Sequence, residues 1–167
     1  PRGLTRLHGL SVSVRDFAAE FERGFAPVDY AAVFEARIDG RPLPPRVVRV
    51  NQPTEVAGFQ FTLQRYGYAP ELSVTEGEKV LAQGTLILTV LPPGTEDGLA
   101  LDDGGELRLA LYPDHVRRDG RAASRSLQPL NPVLAVRHLR AGAELGRGEV
   151  RRGGRAPVGG LTVAFAR

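Results

Sequence analysis

Apolar and polar residues alternate with a period of two along most of this chain. Leu10, Val12 and Val14 alternate with Ser11 and Ser13, and Phe17, Ala19 and Phe21 resume in a shifted phase beyond Asp16. Such a phase change within one run predicts a bulge or bend. Ala32, Phe34, Ala36 and Ile38 form a second run, which Asp39-Gly40 closes as a turn. Phe59/Phe61/Leu63, Leu107/Leu109/Leu111 and Leu161/Val163/Phe165 repeat the pattern, and Val47–Val50, Leu72–Thr75, Thr85–Leu91 and Val133–Leu139 complete the set. About ten strands are expected. Asp16 to Glu22 also suits two helical turns capped by Asp16, but Gly24 and Pro27 follow too closely, so the strand reading is preferred.

Strands with one apolar and one polar face belong to antiparallel sheets covered on one side. Long helical segments are missing between them, which excludes a βαβ plan. The fold class is therefore all-β: an antiparallel β-sandwich or barrel-like single domain spanning residues 1–167. The 20 Gly and 13 Pro supply its punctuation. Pro42, Pro44 and Pro45 suit an extended linker, and Pro92-Pro93-Gly94 ends the Leu86 run because proline lacks the ladder donor. Residues 94–105 read as an acidic loop or irregular hairpin.

Charge is unevenly spread. Residues 1–69 carry nine basic and seven acidic side chains, residues 70–114 two and nine, and residues 115–167 eleven and three, so the segments hold +2, −7 and +8. Arginine supplies 21 of the 22 basic residues along the whole chain. With no aromatic residues interleaved among those arginines, a nucleic-acid platform is not expected. No Cys is present, so there is no thiol chemistry to assign. The chain begins with Pro1 and contains no Met, which suggests a piece of a larger protein.

Side chains that carry chemistry are sparse. His8, His115 and His138 lack partners at metal-ligand spacing, so no metal site is expected, and they read as solvated or capping residues. Ser124 and Ser126 lack an elbow and a matching His-Asp order. Asp102-Asp103 sit among glycines, where hydrated carboxylates are expected, and Gly146-Arg147-Gly148 and Gly153-Gly154 read as turns. No catalytic residue is assigned and no enzyme is expected.

One stretch carries more. Val50-Asn51-Gln52-Pro53 leads into Gly58-Phe59-Gln60-Phe61 and then Tyr66-Gly67-Tyr68. Downstream lie Tyr112-Pro113-Asp114, Ser124-Arg125-Ser126 and Asn131-Pro132, and upstream Phe17, Gly24 and Asp29-Tyr30-Ala31. This series resembles the extracytoplasmic domain of the ResB-like (Ccs-type) family of cytochrome c biogenesis proteins, in the expected order over most of the chain. Thr62-Leu63-Gln64-Arg65 departs from the family's Tyr-Gln-Ser-Ser, and Ala31 stands where that family has Ser.

The resemblance implies a membrane-anchored parent protein whose extracytoplasmic (periplasmic) domain docks apocytochrome c or a partner membrane subunit of the cytochrome c biogenesis complex. A thioredoxin-like reductant would act alongside. No cofactor is implied in this domain; haem belongs to the parent complex. Asn51, Pro53, Phe59, Tyr66 and Tyr68 are the expected partner-binding residues, although Asn51, Pro53, Gly58 and Gly67 equally suit a turn with Phe59 and Phe61 in the core. Two other readings stay open: a β-sandwich binding module unrelated to haem, and a direct haem-binding domain using His8, His115 or His138.

Overall fold

The computed structural model describes residues 9–22, 27–64 and 67–166. Every regular element among them is a strand, as the alternation predicts. No helix there is long and apolar enough to cross a membrane. Contacts divide the chain into two compact units, Pro1–Tyr66 and Gly67–Arg167, where the strand pattern suggests one.

The first unit holds β1 (Leu10–Glu20), β2 (Asp29–Ile38), β3 (Arg41–Pro42), β4 (Arg46–Arg49), β5 (Thr54–Val56) and β6 (Phe59–Phe61). β2 is central, with β1 on one side and β3 and β4 on the other, all antiparallel. Its core face is the alternating set Ala32, Phe34 and Ala36, joined by Val48 and Val56 and flanked by Leu10, Leu43, Phe61 and Leu63. The Phe34 and Phe61 rings lie 5.0 Å apart and tilted, which favours contact between ring edge and face. β1 does start as one strand and shift phase. Val14 faces Phe34 and Asp16 faces Val33, leaving Arg15 as the extra, bulged residue. No helix forms at Asp16–Glu20, because that backbone is committed to pairing with β2.

The second unit holds β7 (Glu71–Glu76), β8 (Lys79–Thr85), β9 (Asp97–Ala100), β10 (Glu106–Tyr112), β11 (His115–Arg118), β12 (Arg121–Ser124), β13 (Val133–Arg140), β14 (Ala143–Arg151), β15 (Gly154–Val158) and β16 (Leu161–Phe165). One sheet runs β14-β13-β10-β9 and another β15-β16-β7-β8, with β11-β12 as a separate hairpin. The arrangement is sandwich-like. Leu107, Leu109, Leu111, Leu134, Val136 and Val150 are buried from the first sheet, and Leu72, Val74, Val158, Leu161, Val163 and Phe165 from the second.

Sixteen strands replace the expected ten among the described residues. Several of the extra ones are too short, or too rich in arginine and glycine, to show an apolar alternation. The expected Thr85–Leu91 strand is displaced: β8 ends at Thr85, and Leu88 makes only a single bridge to Tyr68. Pro70 beside it offers a carbonyl to Leu86 but has no N–H to return. Gly146 and Gly148, expected in a turn, lie inside β14. They are glycines because the second sheet crosses close above them. A Cβ on Gly146 would sit 2.6 Å from the Gly159 nitrogen, and one on Gly148 3.0 Å from a Val158 methyl.

Candidate functional site

Five positions were singled out as a contact surface, and they fall on both units. Asn51 sits in a turn at φ 57°, a left-handed conformation that asparagine tolerates better than most residues, and it is exposed together with Pro53. Phe59 opens β6 after a two-residue turn in which Ala57 and Gly58 both have positive φ. Phe59 is half-buried, while Phe61, two residues on and on the same face, packs on Phe34. Tyr68 belongs to the second unit, where its hydroxyl donates to the Leu127 carbonyl. Tyr66 lies outside the described residues, as do His8 and Gly24.

The downstream motif residues do come together. Asp114, 1% exposed, accepts hydrogen bonds from Arg125 Nε (3.0 Å), Arg125 Nη2 (3.1 Å) and Ser126 Oγ (3.1 Å). The Asp114 amide donates to Ser124 Oγ, whose hydroxyl donates in turn to the Ser126 carbonyl. Asn131 closes the group: its amide donates to the Pro113 carbonyl and its side chain to the His115 carbonyl. The Arg125 guanidinium, helped by Ser126, holds the Asp114 carboxyl below the usual carboxylate range. A carboxylate so satisfied is structural. It stays ionised, held by Arg125 and Ser126.

The histidines differ from the expectation of solvated residues. His138 is 2% exposed; its Nδ1 lies 2.8 Å from the Gly159 carbonyl, while Nε2 is buried without a hydrogen-bond partner. Gly105 covers that nitrogen so closely that an added Cβ would lie 3.0 Å from it. His115 stacks edge-on to Tyr112 at 6.1 Å, with Nε2 buried 3.9 Å from Glu149. Both Nε2 atoms are thus buried without a hydrogen-bond partner among the described residues. Asp103 also departs from a hydrated carboxylate. The Gly105 amide and then Arg140 hold its pKa down.

A groove that sequence reasoning missed lies on the outer face of the β14-β13-β10-β9 sheet. Its volume is about 670 Å3. Ala110, Ala135 and Gly148 form a floor of small residues, Tyr112 stands at one end, and Arg117 and Arg121 rise from the β11-β12 hairpin. Register explains the remaining charge. Arg137 and Arg147, which line the groove, face each other across the β13-β14 pair, and Arg108, outside the lining, faces Arg137 across the β10-β13 pair. Like charges directly opposite cost stability. The row is held by acidic neighbours: Glu106 on Arg108 (2.9 Å), Glu96 on Arg137 (2.9 Å), and Glu144 on both Arg137 (2.8 Å) and Arg147 (2.6 Å). Glu144 is kept below its ordinary pKa by Arg147 first and Arg137 second. Arg117 is held by Glu149 at 2.7 Å. Burial, then the charges of Glu96 and Glu149, push the Tyr112 hydroxyl above its usual value. The signal was present only as scattered arginines in the basic C-terminal third; cross-strand register is what aligns them.

Family models, curated proteins and solved structures yield no match to this chain.

Proposed function

We propose that this chain is the extracytoplasmic domain of a ResB-like membrane protein, serving cytochrome c maturation as a docking and assembly module for apocytochrome c or a partner subunit. One observation carries the reading. Tyr112-Pro113-Asp114, Ser124-Arg125-Ser126 and Asn131-Pro132 are dispersed in sequence, yet Asp114, Ser124, Arg125, Ser126 and Asn131 share one hydrogen-bonded junction. Residues that define a family's fold are expected to support one another in this way. The junction has no reactive geometry, which suits a domain whose work is contact. Haem handling and thioether chemistry then belong to other parts of the complex.

Two measurements test this reading. The complete gene should encode apolar membrane spans flanking the segment; their absence on both sides rules the assignment out. Replacing this segment in the full-length protein should abolish haem-stained c-type cytochromes in cells while the parent protein still accumulates. Normal cytochrome maturation after that replacement refutes it. Haem titration of the purified chain addresses the haem-binding alternative: a Soret shift lost on His115→Ala or His138→Ala would favour direct ligation over docking.

A further inference from the structure

We infer that a small proline-walled pocket of the second unit receives the C-terminal residue of a partner polypeptide: an aliphatic side chain together with its free carboxylate. This site rests on the docking reading only in being a place of contact, and it needs no family assignment.

Proline builds the walls. Pro70 precedes β7, Pro113 follows β10, and Pro129 and Pro132 lie on the segment leading into β13. Leu111 of β10 and Phe165 of β16 add one buried side chain from each sheet. Proline has no N–H to donate, so no ladder of hydrogen bonds closes these walls. Their carbonyls are also largely spent: Pro70 accepts from the Leu86 amide, Pro113 from that of Asn131 and Pro132 from that of Arg152. The hydroxyl of Tyr68, another lining residue, donates to the Leu127 carbonyl. What these groups still offer a guest is hydrocarbon. The volume is about 100 Å3. A cavity of about 150 Å3 takes a benzene ring, so this one suits a single branched aliphatic side chain. Proline rings are also rigid, so little freedom is lost when a guest enters.

Charge supplies the second half of the recognition. Among the described residues the lining holds one charged side chain, Arg152 in the turn between β14 and β15, and no carboxylate. Arg152 is exposed, and among those residues its guanidinium makes no ion pair or hydrogen bond. A guest that is aliphatic and carries an anion close by satisfies both features, since the guanidinium fork matches a carboxylate. A C-terminal residue bears the two groups on one Cα. Within an extended chain, by contrast, the neighbour of an apolar residue points to the opposite face, and the next position on the same face lies roughly 7 Å away. Ala69 and Pro129 are exposed in the lining, and Leu130 is 61% exposed beside Pro129. They offer apolar surface to the residues before the terminus, which a free short-chain acid would leave in water.

Fluorescence anisotropy on the whole chain tests this, using a six-residue peptide labelled at its N-terminus and ending in Ala-Leu with a free carboxylate. Saturable binding is expected. Replacing the terminal Leu by Gly should weaken it about tenfold or more, the loss of one buried aliphatic side chain. The C-terminal amide should bind roughly two- to fivefold more weakly, the range for one exposed ion pair. Arg152→Gln should weaken the acid to the same degree and abolish the difference between acid and amide. The fold should tolerate that change, because Arg152 bonds within the protein through its main chain. Arg155→Gln, an exposed position on β15, makes the same change in net charge and should leave affinity unaltered. Equal binding of acid and amide, or equal weakening by Arg155→Gln, would overturn the inference. So would absence of saturable binding, or 4-methylpentanoate competing as tightly as the peptide, which would make the ligand a small acid. Specific peptide binding alongside normal maturation in cells lacking the segment would refute the proposed function and leave this site standing.

Discussion

Gly146→Ala adds a single methyl group where the two sheets of the second unit approach most closely. Gly146 is not in the left-handed region, so alanine can adopt its backbone and the whole effect is steric. The new Cβ would lie 2.6 Å from the Gly159 nitrogen and 2.7 Å from its Cα, both main-chain atoms. Ordinary contact needs about 3.5 Å or more, so the β15-β16 turn must move back by close to 1 Å. The Gly159 carbonyl is the partner of His138 Nδ1 at 2.8 Å, and it moves with that turn. Overpacking costs about 1–3 kcal/mol, and loss of a hydrogen bond at a buried ring adds about 1 kcal/mol. Relief of glycine's backbone entropy returns about 0.5–1 kcal/mol, leaving a net loss near 2–3 kcal/mol. For a unit of this size the melting temperature should fall by about 10–20 °C. Gly148→Ala is the internal comparison. Its Cβ meets a Val158 methyl at 3.0 Å, a side-chain atom that can yield, so its cost should stay below about 1 kcal/mol. Urea titrations followed by far-UV circular dichroism would compare the two. Equal destabilisation by both variants, or none by Gly146→Ala, refutes the close-approach argument.

Three further outcomes are expected. Ala57→Asn should stabilise the first unit by about 0.5–1 kcal/mol, because Ala57 holds φ 53° in the β5-β6 turn and asparagine accepts that conformation more readily; an unchanged urea midpoint would argue otherwise. Asp114→Asn should destabilise the second unit at neutral pH, with the difference closing on acidification. The folded carboxyl is depressed by Arg125, so its stabilisation is complete above the unfolded value of about 4 and is lost as pH falls through the folded value; a gap that persists down to the acid limit of folding would count against it. Glu96→Gln should lower the Tyr112 pKa, read from phenolate absorbance during alkaline titration, since Glu96 is one of the charges that raises it; an unmoved titration would place Glu96 away from that ring.

The alternating runs were legible because their inner positions carry large apolar side chains, as at Leu107/Leu109/Leu111 and Ala32/Phe34/Ala36. β14 was not, for a physical reason. Two of its inward positions are Gly146 and Gly148, emptied of side chains to admit Gly159 and Val158, so only Val150 signals burial. The β11-β12 hairpin has Asp119-Gly120 as its turn, but arginines on both flanks hide the strands. The motif residues around Asp114 were visible as a set, whereas their shared carboxylate was not, since nothing local ties Asp114 to Arg125. The groove was least legible of all. Arg108, Arg137 and Arg147 belong to three strands, and pairing alone makes them neighbours.

The Arg15 bulge described in β1 bears on solubility. Among the described residues β1 pairs with no strand but β2, so its other rim meets no further strand there, and Val14 is 68% exposed beside it. A straight rim of that length invites any passing extended chain to zip on. The extra residue divides it into Leu10–Val14 and Asp16–Glu20 and turns one half away from the other. A stray strand can then register with five residues at a time, too short a hold to seed a growing fibre.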